Sequence, residues 1–128
     1  MIAGDELVEL QRIECDFTIC KIKNIEQADF TREFVFLQKT PDEISLVCET
    51  AYVPPNAITA EAGWKALKIS GVLDFGLIGV IAEIANILAE AEISIFVVST
   101  YNTDYILIKA EAFGRGTREL IRNGYVIN

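Results

Sequence analysis

The chain has 128 residues, 52% of them hydrophobic, with 11 Lys and Arg against 19 Asp and Glu and no histidine, for a formal charge of −8. Such a surface repels a phosphate backbone, whose binding depends on Lys and Arg replacing counterions, so no nucleic-acid partner is expected. No run approaches the roughly eighteen uninterrupted apolar residues of a membrane-crossing helix, and Asp5, Glu6 and Glu9 fall where a secretory signal carries basic and then apolar residues, so a soluble, cytoplasmic protein without a membrane partner is expected.

In chain order, a strand near Leu7 to Gln11 precedes a second at Phe17 to Lys23. Cys15, Cys20 and Cys48 are odd in number and lie in apolar, strand-like sequence, which suits reduced thiols packed as small hydrophobes. On a continuous strand Cys15 and Cys20 point to opposite faces, and without histidine no metal site is expected. Glu33 to Lys39 and Glu43 to Glu49 read as the arms of a hairpin around Thr40, Pro41 and Asp42. Pro54 and Pro55 open a short helical or irregular stretch to Gly63.

Trp64 to Ser70 reads as a strand that ends at Gly71. From Leu77 to Ala91 the apolar residues Leu77, Ile81, Ile84 and Leu88 recur at helical spacing opposite Glu83, Asn86 and Glu90, which predicts an amphipathic helix with Asp74 placed to cap it. Ile93 to Thr100 and Asp104 to Lys109 form a second hairpin around Asn102, apolar on both faces. A helix over Glu111 to Arg122, weakened by Gly114 and Gly116, leads to a short strand at Tyr125 to Ile127. The order of this half is β, α, β, β, α, β.

Internal repetition extends that order to the first half. Phe34, Phe36, Asp42, Ile44 and Leu46 stand 62 residues before Phe96, Val98, Asp104, Ile106 and Ile108, an offset that matches Asp42 to Asp104. The expected architecture is α+β, with two ferredoxin-like βαββαβ units at 1–62 and 63–128. Only Asn24 to Arg32 separates the first unit's opening strand from its hairpin, so that unit is abbreviated.

Three segments carry a family resemblance: Trp64, Ala66, Leu67 and Gly71; Leu73, Asp74 and Phe75; and Ser99 to Leu107. With Glu43 to Glu49, they resemble small bacterial tandem ACT-domain proteins related to the CASTOR arginine sensors. The resemblance covers the last two thirds of the chain well and the first thirty residues poorly. It implies two ACT-like units and a regulatory protein that senses an amino acid or similar metabolite at an interface between them. The alternative is a structural or partner-binding ACT module with no ligand.

An amino acid needs its carboxylate and ammonium satisfied together. Gly71 and Gly76 allow close backbone approach, and the amides at the start of the Leu77 helix form an anion site. Asp74 offers a carboxylate for the ammonium, or serves only as a helix cap. Ser99, Thr100, Asn102 and Asp104 are the polar groups of the second hairpin, with a plain turn role open for Asn102 and Asp104. The expected ligand-binding set is therefore Gly71, Leu73, Asp74, Phe75, Gly76, Leu77, Ser99, Thr100, Asn102 and Asp104. Trp64 and Phe75 are candidates for a pocket wall or for core.

No nucleophile with a base, metal set or Gly-rich phosphate loop is visible, so neither enzymatic activity nor a cofactor is expected. Acylphosphatase shares the strand and helix order, but Gly71 to Gly76 contains no basic residue to hold phosphate. The apolar hairpins are expected to support a homodimer.

Overall fold

Pairing of β-branched and alternating segments builds seven strands among the described residues, 8–70 and 79–128 of a computed structural model. In chain order they are β1 (Glu9–Ile22), β2 (Val35–Lys39), β3 (Ile44–Glu49), β4 (Thr59–Ser70), β5 (Ile95–Ser99), β6 (Asp104–Lys109) and β7 (Val126–Ile127). The α-helices are α1 (Val80–Glu90) and α2 (Ala110–Arg122). The chain divides into two compact units, one formed by Glu14–Trp64 and the other by residues 8–13 together with Lys65–Asn128.

In the unit Glu14–Trp64 the strand order is β2-β3-β1-β4. That is the order of a βαββαβ unit whose helices are reduced to 3-10 turns at Ile25–Gln27 and Thr50–Tyr52, so this unit is the abbreviated one. The first turn is closed by Gln27, whose Oε1 accepts from the backbone N–H groups of Lys23 and Asn24, both at 2.9 Å. Cys20, Ile22, Ala28, Leu46 and Cys48 are buried together. Phe17 and Phe34 meet edge to face with ring centroids 5.7 Å apart.

The other unit runs β4, α1, β5, β6, α2, β7, with strand order β5-β6-β4-β1-β7. β1 and β7 pair in parallel, Glu9 opposite Val126 and Leu10 opposite Ile127. Helix α1 buries Val80, Ile84 and Leu88, a spacing of four that keeps one face on the core, while Ile81 is half-buried. These residues pack with Leu67, Ile69, Ile106, Ile108 and Leu120. Gly116 sits on α2 where a Cβ would lie 3.4 Å from both Ile108 Cδ1 and Leu88 Cδ2, so a larger side chain would push the helix off its support.

Several boundaries differ from the sequence reading. β1 is a single strand, not two, because Arg12, Glu14 and Asp16 alternate with Ile13 and Cys15 and so continue the pleat through what reads as a polar break. β4 begins at Thr59, so Thr59 to Gly63 is strand instead of an irregular stretch; pairing overrides the poor β-propensity of Ala, Glu and Gly. Helix α1 starts at Val80, and its N-cap position is Gly79 at φ +89°, a left-handed conformation open to glycine. Asp74 and Leu77 lie outside the described residues.

The repeat also shifts. β2 and β3 place Val35 opposite Cys48, and β5 and β6 place Ile95 opposite Ile108, so counterparts stand 60 residues apart and Asp42 corresponds to Asn102 instead of Asp104. Side chains alternate with period two, so a slide of two residues keeps every face and the hydrophobic pattern alone does not detect it.

Two predictions follow from the packing. Gly114 is exposed, and its added Cβ would meet only the flexible end of Arg118 at 3.6 Å. Gly114→Ala should raise stability by up to about 1 kcal/mol through helix propensity, whereas Gly116→Leu should lower it by about 1–3 kcal/mol; denaturant unfolding of both variants measures this.

The second concerns pH. All three cysteines are free thiols, and burial, reinforced by neighbouring Cys20 and Glu49, pushes the Cys48 thiol up from 9.0 to about 12. Below pH 9 the folded and unfolded chains both hold this proton and the stabilisation is intact. Above pH 9 only the unfolded thiol ionises, so stability should fall from there toward about pH 12. Unfolding free energies measured from pH 7 to alkaline pH should decline less steeply in Cys48→Ala than in the native sequence.

Candidate functional site

The β5–β6 hairpin presents the polar residues of the expected site. Its register sets Ser99 opposite Asp104 as the last cross-strand pair. Beyond it the Thr100 N–H donates to the Thr103 carbonyl at 2.8 Å, and the Thr103 N–H donates to Thr100 Oγ1 at 3.2 Å. Thr100 Oγ1 also donates to the Thr103 carbonyl at 2.8 Å. Threonines, rather than Asn102 or Asp104, therefore hold the turn, leaving Asn102 exposed and Asp104 half-buried at the start of β6. Tyr101 is fully exposed at the tip.

Thr103 fixes where that tip lies. Its Oγ1 donates to the Ile69 carbonyl at 2.6 Å, which binds the hairpin end to the end of β4 immediately before the strand-to-helix segment. Ser70 adds a bond from its hydroxyl to the Glu9 carbonyl at 3.3 Å. Ser99, Thr100, Asn102 and Asp104 are thus gathered on one turn next to the residue pair that leads into Gly71. Gly71, Leu73, Asp74, Phe75, Gly76 and Leu77 lie outside the described residues.

Thr103 is the residue that sequence reasoning missed. The Thr-x-x-Thr spacing around Tyr101 and Asn102 was the available signal, and Thr40 with Glu43 repeats the same backbone closure at 2.9 Å. At the far end of the same unit, Tyr125 is buried and its hydroxyl donates to Glu83 Oε1 at 2.7 Å, tying the approach to β7 to the first turn of α1. Burial, followed by the Glu83 contact, holds the Tyr125 phenol above its ordinary pKa.

No group of three or more His, Cys, Asp or Glu side chains placed to hold a metal occurs among the described residues. Nor is any helix among them long and apolar enough to cross a membrane. The site's described groups are hydroxyls, one amide and one carboxylate, a set that binds polar ligands by hydrogen bonding and charge. Thr103→Val should cost about 1 kcal/mol of stability by leaving the Ile69 carbonyl without its donor, while Thr103→Ser should keep most of it. Equal unfolding midpoints for Val and the native sequence would contradict the anchoring role.

The ACT domain family model matches residues 59–115. The cytosolic arginine sensor for mTORC1 subunit 1 from Homo sapiens, and its counterpart from Bos taurus, are 37% identical over 60 residues. That match takes in 44% of this chain and 18% of each relative, so it spans under a fifth of their length.

Among solved structures, a protein from Agrobacterium tumefaciens superposes with a TM-score of 0.86 at 24% identity, covering 96% of this chain and 93% of its own. A Vibrio cholerae protein of unknown function, described as a possible transport protein, gives 0.71 at 19% identity over 90% and 88%. The regulatory subunit of aspartate kinase from Thermus thermophilus gives 0.63 at 11% identity over 95% and 98%. These likenesses establish the fold. Residues 59–115 of the chain match the ACT domain family model, and the fold as a whole is like that of these solved structures.

Proposed function

We propose that this protein is a small regulatory ligand-binding protein, not an enzyme, that senses an amino acid or similar metabolite. The ligand site lies at an interface between ACT-like units, and the working form is a cytoplasmic homodimer. One observation carries the reading: the ACT match over 59–115 contains every residue of the expected site, from Gly71 to Leu77 and from Ser99 to Asp104. The Thr103 bond to Ile69, which sets the hairpin tip beside the strand leading to Gly71, supports it.

In this reading the amides of the strand-to-helix segment hold the ligand carboxylate, and Asp104 or Asp74 meets its positive group. Arginine is the first ligand to test, because the curated relatives are named as arginine sensors. Binding to the native state alone raises the melting temperature, so a screen of the twenty amino acids should find one or a few that do so. Asp104→Ala should abolish that shift while keeping the unliganded protein within about 1 kcal/mol of its original stability. A shift that persists in Asp104→Ala would move the site elsewhere, and no shift with any amino acid would favour a ligand-free structural module.

A further inference from the structure

The unit Glu14–Trp64 has a cleft of about 300 Å³ that this reading does not use. It opens at the end of the β2-β3-β1 ladder, where Lys39, Ile44 and Ile22 make the last cross-strand row. The hairpin tip Thr40–Glu43 forms one wall and the end of β1 another. Ile58, whose N–H donates to the Lys21 carbonyl at 2.8 Å, closes a third side. Every lining residue precedes the segment matched by the ACT model.

The charges on this cleft are uneven. Lys21, Lys23 and Lys39 all line it, and among the described residues none of the three takes part in an ion pair. In a chain with 11 basic residues and a charge of −8, three unpaired ammonium groups around one concavity are a local reversal of sign. Lys39 shares the sheet face of Ile44 and Ile22, Lys21 belongs to the opposite face, and Lys23 follows the end of β1, so the cations reach the rim from both sides of the sheet end.

Asp42 and Glu43 stand on the tip, which is fixed by the Thr40 N–H to Glu43 carbonyl bond at 2.9 Å and the Asp42 N–H to Thr40 Oγ1 bond at 3.2 Å. A simple anion would be attracted by the lysines and repelled by these carboxylates. A ligand with two carboxylates and one ammonium complements both. The side chains of half-buried Ile44 and exposed Ile58 offer apolar surface for a short alkyl stem, and the volume is at the lower end of small-molecule pockets.

The geometry points to a binding site for an acidic amino acid in this cleft, with Lys21, Lys23 and Lys39 taking its two carboxylates and Asp42 or Glu43 its ammonium. The site is separate from the Ser99–Asp104 hairpin and does not rest on the function proposed for it. Because the cleft is open to solvent, its affinity is weak and falls with salt.

Titration of the full chain with L-glutamate and L-aspartate at low ionic strength, followed by amide chemical shifts, tests this. At least one should bind saturably, with shifts at Lys21–Lys23 and Thr40–Glu43, and added salt should weaken it. Lys39→Gln and Lys21→Gln should each weaken binding by about fivefold or more, and L-glutamine and succinate should bind at least about fivefold more weakly. The proposal is overturned if neither amino acid saturates these shifts, if both lysine variants bind as the native chain does, or if L-glutamine or succinate binds as tightly as the acidic amino acid.

Discussion

The structure depends on two long strands that are each paired on both sides. β1 has 14 residues and β4 has 12, and the boundaries between the units fall within them, at Ile13–Glu14 and Trp64–Lys65. In the unit Glu14–Trp64, β1 lies between β3 and β4; in the other unit, β4 lies between β6 and β1.

The central position of these strands explains how the site is positioned. β4 is held by backbone pairing, and its last residues accept or donate the bonds that place the hairpin tip, from Thr103 to Ile69 and from Ser70 to Glu9. The residues that follow β4 enter α1, whose buried face of Val80, Ile84 and Leu88 is seated on the same core as Ile106 and Ile108. A packed core thus supports a turn of polar groups at its end.

Much of this was legible because the signals were local. The spacing of Ile84 and Leu88 marked α1, and the run Ile95–Ser99 with Asp104–Lys109 marked the hairpin. The abbreviated first helix followed from the short span available before β2. Less legible were features set by pairing partners distant in sequence. Thr59 to Gly63 has weak strand propensity but continues β4, and the two-residue error in the repeat arose because alternation does not distinguish registers that differ by two. Thr103 escaped notice for the same reason: its value comes from the Ile69 carbonyl, which no local pattern reveals.

In the proposed reading a ligand binds at the hairpin from Ser99 to Asp104, the described polar edge within the matched segment. The most direct measurement is a crystal structure grown with whichever amino acid stabilises the protein most. The account predicts that ligand in contact with Ser99, Thr100, Asn102 or Asp104 and with the segment 71–77. A saturating amino acid found with no contact to that hairpin or that segment would contradict it.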